Sequence, residues 1–218
     1  MALKREVVVL LHGLARSPKS MNAMAQFLEE KGFEVHNLAY PSRKFPIATL
    51  ARDLAYGPLA GLVGDNEELH FVTHSMGGIV LRYMHQFFEL PPIGQVVMLA
   101  PPNQGSEVVD RLSHNFLFKW WNGPAGLELS TSARSVPNSL GPVGFRTAVI
   151  AGNKSYNPLF SHWIEGPNDG KVSVERSKVE GMKEHLVLPI SHTFMAKNSR
   201  VQEATLHFLK HGWFQRSY

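Results

Sequence analysis

A chain of 218 residues, 44% hydrophobic and 18% charged, can fill a core of the size one domain carries, and that balance excludes a disordered chain. The absence of cysteine removes disulfide frameworks, thiolate nucleophiles and cysteine-ligated metals. A net charge of +4 arises from Lys and Arg scattered among acidic residues without a basic block, the pattern of a solvated surface and not of a nucleic-acid interface.

Lys4 and Arg5 precede the apolar run from Val7 to Leu11, which superficially suggests a leader. The run is too short for a signal-peptide core or a membrane span, and it leads into His12-Gly13 instead of a small-residue cleavage site, so it reads as an internal strand over 6–11. With no other targeting or transmembrane segment, the expected location is cytoplasmic. Ser17-Pro18 supplies an N-cap and a first-turn proline for a helix carrying Met21, Met24, Phe27 and Leu28, which Gly32 ends. A strand follows over 33–40. Ile47, Leu50, Leu54 and Leu59 then give a helical stripe before Gly61 and Gly64.

Residues 69–73 read as the next strand, and from Met76 the apolar positions Ile79, Val80, Tyr83, Met84, Phe87 and Phe88 recur at helical spacing until Pro91-Pro92. Further strands are expected over 96–100, 145–151 and 185–189, with a C-terminal helix through Ala204, Leu206, Phe208 and Leu209. Apolar strands alternating with helices imply a mostly parallel sheet covered on both faces. The stretch 101–144 breaks the rhythm; a connection that long carries function or helices of its own.

Thr73-His74-Ser75-Met76-Gly77-Gly78 stands between a strand and a helix, the context of a nucleophile elbow, in which a sharp turn lifts a serine hydroxyl clear of the sheet. Small residues are favoured two positions to either side. Gly77 satisfies that on one side, while Thr73 puts a β-branched residue where glycine is expected. The competing reading of Ser75 is an ordinary helix N-cap. Met76, directly after the nucleophile, would give its N–H to a developing oxyanion.

At these residues the sequence resembles the α/β-hydrolase superfamily, particularly small bacterial lipases and esterases and the acyl-hydrolase domain related to GPI inositol-deacylase. Leu11-His12-Gly13-Leu14, the segment Ala100 to Ser106 (Ala-Pro-Pro-Asn-Gln-Gly-Ser) and Ser191-His192-Thr193-Phe194 carry the likeness along the chain in the family's order. The resemblance implies one α/β-hydrolase domain over 1–218 with a cap insertion at about 103–144. It implies a serine hydrolase that cleaves carboxylic esters through an acyl-enzyme without metal or organic cofactor. It also assigns the second oxyanion donor to the Leu14 N–H, with His12, Gly13 and His74 shaping the surrounding loops; His12 as a catalytic group is the alternative.

A serine nucleophile needs a general base and a carboxylate that fixes the base's tautomer. In the resembled fold these follow the serine as acid, then histidine. Asp110 and Asp169 are the aspartates after Ser75; the family's acid position corresponds to Asp169 in Asn168-Asp169-Gly170, with Glu165 as a neighbouring alternative and a plain Asp-Gly turn as the competing reading. Of 11 histidines, His192 falls on the loop after the last strand, where the resemblance expects the base; His185 starts that strand, and His162, His207 and His211 read as surface or packing residues.

Phe116, Leu117, Phe118, Trp120, Trp121 and Leu127 cluster in the insertion. In related hydrolases this region covers an acyl pocket, so Phe116, Phe118, Trp120 and Trp121 are expected to line one for a lipid or hydrophobic ester, with transient contact with a lipid interface; a core-packed helix fits the same pattern. An acyltransferase, thioesterase or amidase on the same fold, or a catalytically silent binding module, remains open at this stage.

Overall fold

The computed structural model describes residues 6–62 and 68–215. Lys4, Arg5 and Gly64 lie outside them. Six parallel strands form one sheet in the order β2-β1-β3-β4-β5-β6: β1 (Val7–Leu11), β2 (Glu34–Leu38), β3 (Leu69–His74), β4 (Ile93–Leu99), β5 (Arg146–Gly152) and β6 (Glu184–Leu188). Chain order reverses only between β1 and its neighbours β2 and β3, and in such sheets the carboxyl edge at that switch point is where ligands bind.

Period-two alternation divides the core. Val7, Val9 and Leu11 turn to the face covered by α2 (Ile47–Tyr56) and α3 (Met76–Phe87), while Val8 and Leu10 turn to the face covered by α1 (Asn22–Glu30) and α8 (Ser199–His211). Because both faces are buried, every residue of β1 and β3 is buried; β1 is accordingly a continuous apolar run, whereas β3 also buries the polar His70, Thr73 and His74. β2 is an edge strand and only half-buried; it is shorter than the expected 33–40, starting at Glu34 because Phe33 instead closes α1 and ending at Leu38. The Phe33 N–H bonds the Leu28 carbonyl and the Gly32 N–H bonds Glu29, a Schellman closure that needs the positive φ of 96° at Gly32.

Ser17 is not a side-chain cap. It is extended, and Pro18–Met21 form a separate 3₁₀ turn ahead of α1, closed by the Ser20 N–H on the Ser17 carbonyl. The long connection carries three helices, α4 (Glu107–Leu112), α5 (Phe116–Leu127) and α6 (Val136–Ser139). α5 is two short helices joined at Gly123, whose φ is 65° and whose absent Cβ would lie 1.8 Å from the Arg43 carbonyl oxygen. Glu128 accepts the Ile47 N–H at 2.7 Å, which fastens the insertion to the start of α2. A short α7 (Pro158–Trp163), which has no clear periodicity in the sequence, follows β5 and packs on α4.

Candidate active site

The loops after β1, β3, β5 and β6 converge at the carboxyl edge. Between β3 and α3, Ser75 has φ 55° and ψ −126°, outside the regions open to most L-residues, and its side chain makes no capping bond to α3. The N-cap reading therefore does not hold. The strained turn is pinned by the Ser75 N–H on the Leu99 carbonyl at 2.9 Å and the Gly78 N–H on the Ser75 carbonyl at 3.0 Å.

Packing explains why threonine is tolerated at 73. A Cβ at Gly77 would lie 2.6 Å from the Leu11 carbonyl oxygen, so that position must stay bare for α3 to approach β1. Thr73 instead faces Gly78, where an added Cβ would lie 3.2 Å from Thr73 Oγ1 and 3.3 Å from Pro101 Cβ. The second glycine supplies the space that the missing one at 73 would have left.

Ser75 Oγ lies 3.0 Å from His192 Nε2, and His192 Nδ1 lies 2.8 Å from Asp169 Oδ2. A carboxylate only accepts, so the imidazole proton sits on Nδ1 and Nε2 is left to accept the serine hydroxyl. Asp169 Oδ1 is held by the N–H groups of Lys171 and Val172, each at 2.9 Å, and the His192 N–H bonds the Asp169 carbonyl at 3.1 Å. Gly152, at the end of β5, lets these loops meet: a Cβ there would lie 2.2 Å from the Ile190 carbonyl oxygen and 2.9 Å from Asp169 Cβ. Sequence reasoning did not single it out, since a strand-end glycine has many uses.

The alternatives for the acid lie elsewhere. Asp110 accepts the Thr131 N–H and hydroxyl at 2.9 and 2.7 Å, and Glu165 is exposed. His185 bonds the Ser177 hydroxyl, His207 bonds the Trp213 carbonyl, and His162 and His211 are exposed.

His74 donates from Nε2 to the His192 carbonyl at 3.0 Å and so bears on the backbone that carries the imidazole. Burial, followed by the neighbouring His192 and the charges of Lys171 and Arg16, pushes the His74 pKa well below its ordinary value. His12 is fully buried, stacked on Tyr40 at 4.2 Å, and donates from Nδ1 to the Gly13 carbonyl; burial lowers its pKa as well. The Tyr40 hydroxyl donates to the His12 carbonyl. This is a loop-ordering arrangement, away from the cavity that Ser75 lines. Gly13 brings that loop to the serine, since a Cβ on it would meet Ser75 Cβ at 3.0 Å. Ala15, two residues on, turns the loop with φ 53°, and among the described residues neither the Leu14 nor the Met76 N–H donates to a protein acceptor.

Ser75 and His192 open into a cavity of about 360 Å³. Its far wall is apolar: Val108, Val109 and Leu112 of α4, Phe118 and Trp121 of α5, and Phe160 of α7. Phe116 and Trp120 are not in that wall; they are 74% and 70% exposed, whereas Phe118 and Asn122 are partly buried and Trp121 lines the cavity while staying 56% exposed. Arg16 and Lys171 line the cavity too, unforeseen in the sequence; crowding by protein and the charge of Arg16 lower the Lys171 pKa. Asn103 and Ser106 tie the insertion to the segment after Asp169, through Asn103 Nδ2 on the Ser177 carbonyl and Ser106 Oγ on that of Lys171. Among the described residues no group of three or more His, Cys, Asp or Glu is disposed to hold a metal ion, and no helix is long and apolar enough to cross a membrane.

A family model described as the alpha/beta hydrolase family matches residues 8–184. No protein with a curated description matches the sequence. Among solved structures, lipase BlEst2 of Bacillus licheniformis in its mature form superposes with a TM-score of 0.67 at 18% identity, over 96% of this chain and 93% of that one. Lipase 1 from Pelosinus fermentans superposes with a TM-score of 0.68 at 12% identity, over 92% and 95% of the two chains. At these identities the likeness is one of fold.

Two outcomes are expected. Gly78→Val should destabilise the protein, and Thr73→Gly in the same chain should recover part of the loss, a coupling of about 0.5–3 kcal/mol in a double-mutant cycle by urea unfolding; strict additivity would contradict the packing described. Second, a histidine whose folded pKa is depressed takes up its proton more readily when unfolded. His12, His70 and His74, all buried and all lowered mainly by burial, should therefore cost stability as pH falls below about 6.5, at up to roughly 1.4 kcal/mol per pH unit for each. Urea midpoints measured from pH 8 to 5 check this, and His74→Gln should flatten the slope.

Proposed function

This chain belongs to the alpha/beta hydrolase family, and on that premise we propose that it is a serine hydrolase cleaving carboxylic esters of hydrophobic acyl groups. The reading rests chiefly on one observation, the unbroken chain of contacts from Ser75 Oγ through His192 to Asp169 at 3.0 and 2.8 Å. Ser75 Oγ attacks the ester carbonyl carbon while its proton passes to His192 Nε2, and the oxyanion is received by the Leu14 and Met76 N–H groups. Collapse leaves the acyl group on Ser75 and expels the alcohol, which takes the proton from His192. Water then attacks the acyl-enzyme through the same histidine and releases the acid. Asp169 keeps Nδ1 protonated throughout.

In this reading residues 103–144 act as the cap of a single domain, and the inner face of α4 and α5 receives the acyl chain. The exposed Phe116, Leu117 and Trp120 of α5 suit contact with a lipid interface.

A fluorophosphonate probe should label Ser75, and Ser75→Ala should lose on the order of 10⁶-fold in kcat. Asp169→Asn should lose on the order of 10⁴-fold. The two backbone donors would hold the amide oxygen and turn its NH₂ toward Nδ1, forcing the proton onto Nε2 where the serine needs an acceptor. Near-normal hydrolysis by either variant would sink the assignment. Across a series of p-nitrophenyl esters kcat/KM should rise by up to roughly fourfold per methylene until the cavity is full; indifference to acyl length would count against an apolar acyl pocket.

A further inference from the structure

Beside the apolar cavity lies a second one, about 560 Å³, that shares Ala15, Arg16, His74 and Trp121 with it. Its lining differs in kind. Arg16, Lys19, Arg43 and Lys197 contribute four cations, Ser17, Ser20 and Thr193 contribute hydroxyls, and no carboxylate lines it. Among the described residues none of the four cations has a carboxylate within ion-pair distance, although the chain as a whole carries 18 acidic residues against 22 basic ones. Arg43 is steadied by its guanidinium lying 5.1 Å from the Trp121 ring and by a bond to the Trp121 carbonyl at 3.3 Å, which sets it at the boundary between the two cavities.

All four cations are exposed, so water and salt screen their mutual repulsion, but an anion entering the concavity meets donors of one sign from four side chains. The two cavities meet at the loop of Ala15 and Arg16 and at His74, the neighbour of Ser75, so a bound ester spanning them would have its acyl chain on one side and its alcohol on the other. We infer that the alcohol portion of the substrate carries a phosphate group, received by Arg16, Lys19, Arg43 and Lys197. Guanidinium and ammonium donors suit phosphate oxygens, through forked and point contacts respectively. The inference rests on the ester-hydrolase reading and names the substrate class for that site.

The test compares hexanoyl glycerol with hexanoyl glycerol phosphate, both kept below their aggregation limits at constant ionic strength. The phosphorylated ester should have a kcat/KM higher by about tenfold or more. The ratio of the two kcat/KM values should fall in Lys19→Gln and Lys197→Gln, fall further when they are combined, and fall most in Lys197→Glu. A ratio of one or less, or a ratio these substitutions leave untouched, overturns the inference. So does a preference seen only with anionic phospholipid vesicles and absent with the soluble pair, which would assign the cations to a membrane surface. Titration of Ser75→Ala with the ether analogues, hexyl glycerol and hexyl glycerol phosphate, separates this inference from the reading beneath it. If the wild type cleaves neither ester and takes no fluorophosphonate label, the hydrolase reading falls, while preferential binding of the phosphorylated ether still upholds the anion pocket and equal binding still removes it.

Discussion

The backbone of Ser75 is the constraint on which the site depends. A serine at φ 55° is held there only because its N–H is taken by β4, its carbonyl by Gly78, and its helix is drawn against β1 where Gly77 leaves no side chain in the way. Relaxing that turn would swing the hydroxyl toward the role serine commonly has at this place, capping the helix behind it. The strain thus separates a hydroxyl that serves the fold from one that is free to face His192. The buried strands on both sides supply the rigidity that keeps it so.

Around that turn the electrostatics are uneven. Buried histidines at 12 and 74 are discouraged from taking a proton, so the ring and backbone contacts that support the loops are made by neutral groups and do not compete for the charge His192 would acquire. The fixed positive charge lies farther out, on Arg16 and Lys171 at the cavity wall and on the cations of the neighbouring hollow. In the proposed reaction the oxyanion would form at the inner edge of this field, where the first turn of α3 adds its own partial positive charge.

Much of this was legible in the sequence, and the reason differs between parts. β1 announces itself because burial on both faces favours an unbroken apolar run, and the Ser75 turn because a strand, a Ser and two glycines before a helix make few other structures. Asp169 and His192 were legible only through chain order in the resembled family; their spacing of 23 residues says nothing about a 2.8 Å contact made between loops of different strands. The rest depends on three-dimensional neighbours that a sequence does not display: Gly78 opposite Thr73, the 3₁₀ turn between Ser17 and α1, and the contact of Phe118 and part of Trp121 with the cavity beside the outward Phe116 and Trp120. Arg16 and Lys19 read as scattered surface charge because a pocket gathers residues from distant parts of the chain.

Parallel pairing has one more implication. Leu11 of β1 lies opposite Thr73 of β3, and Thr73 lies opposite Met98 of β4, so the heights at which the loops leave the sheet are set by registers fixed within the core. One residue of slip moves a loop by about 3.3 Å, a full hydrogen-bond length, and turns its side chains to the other face. The strands therefore act as a measuring frame for the reacting atoms. Length changes within β3 would misplace Ser75 directly, because the residue leaves the sheet at the height that the β1–β3 and β3–β4 registers set.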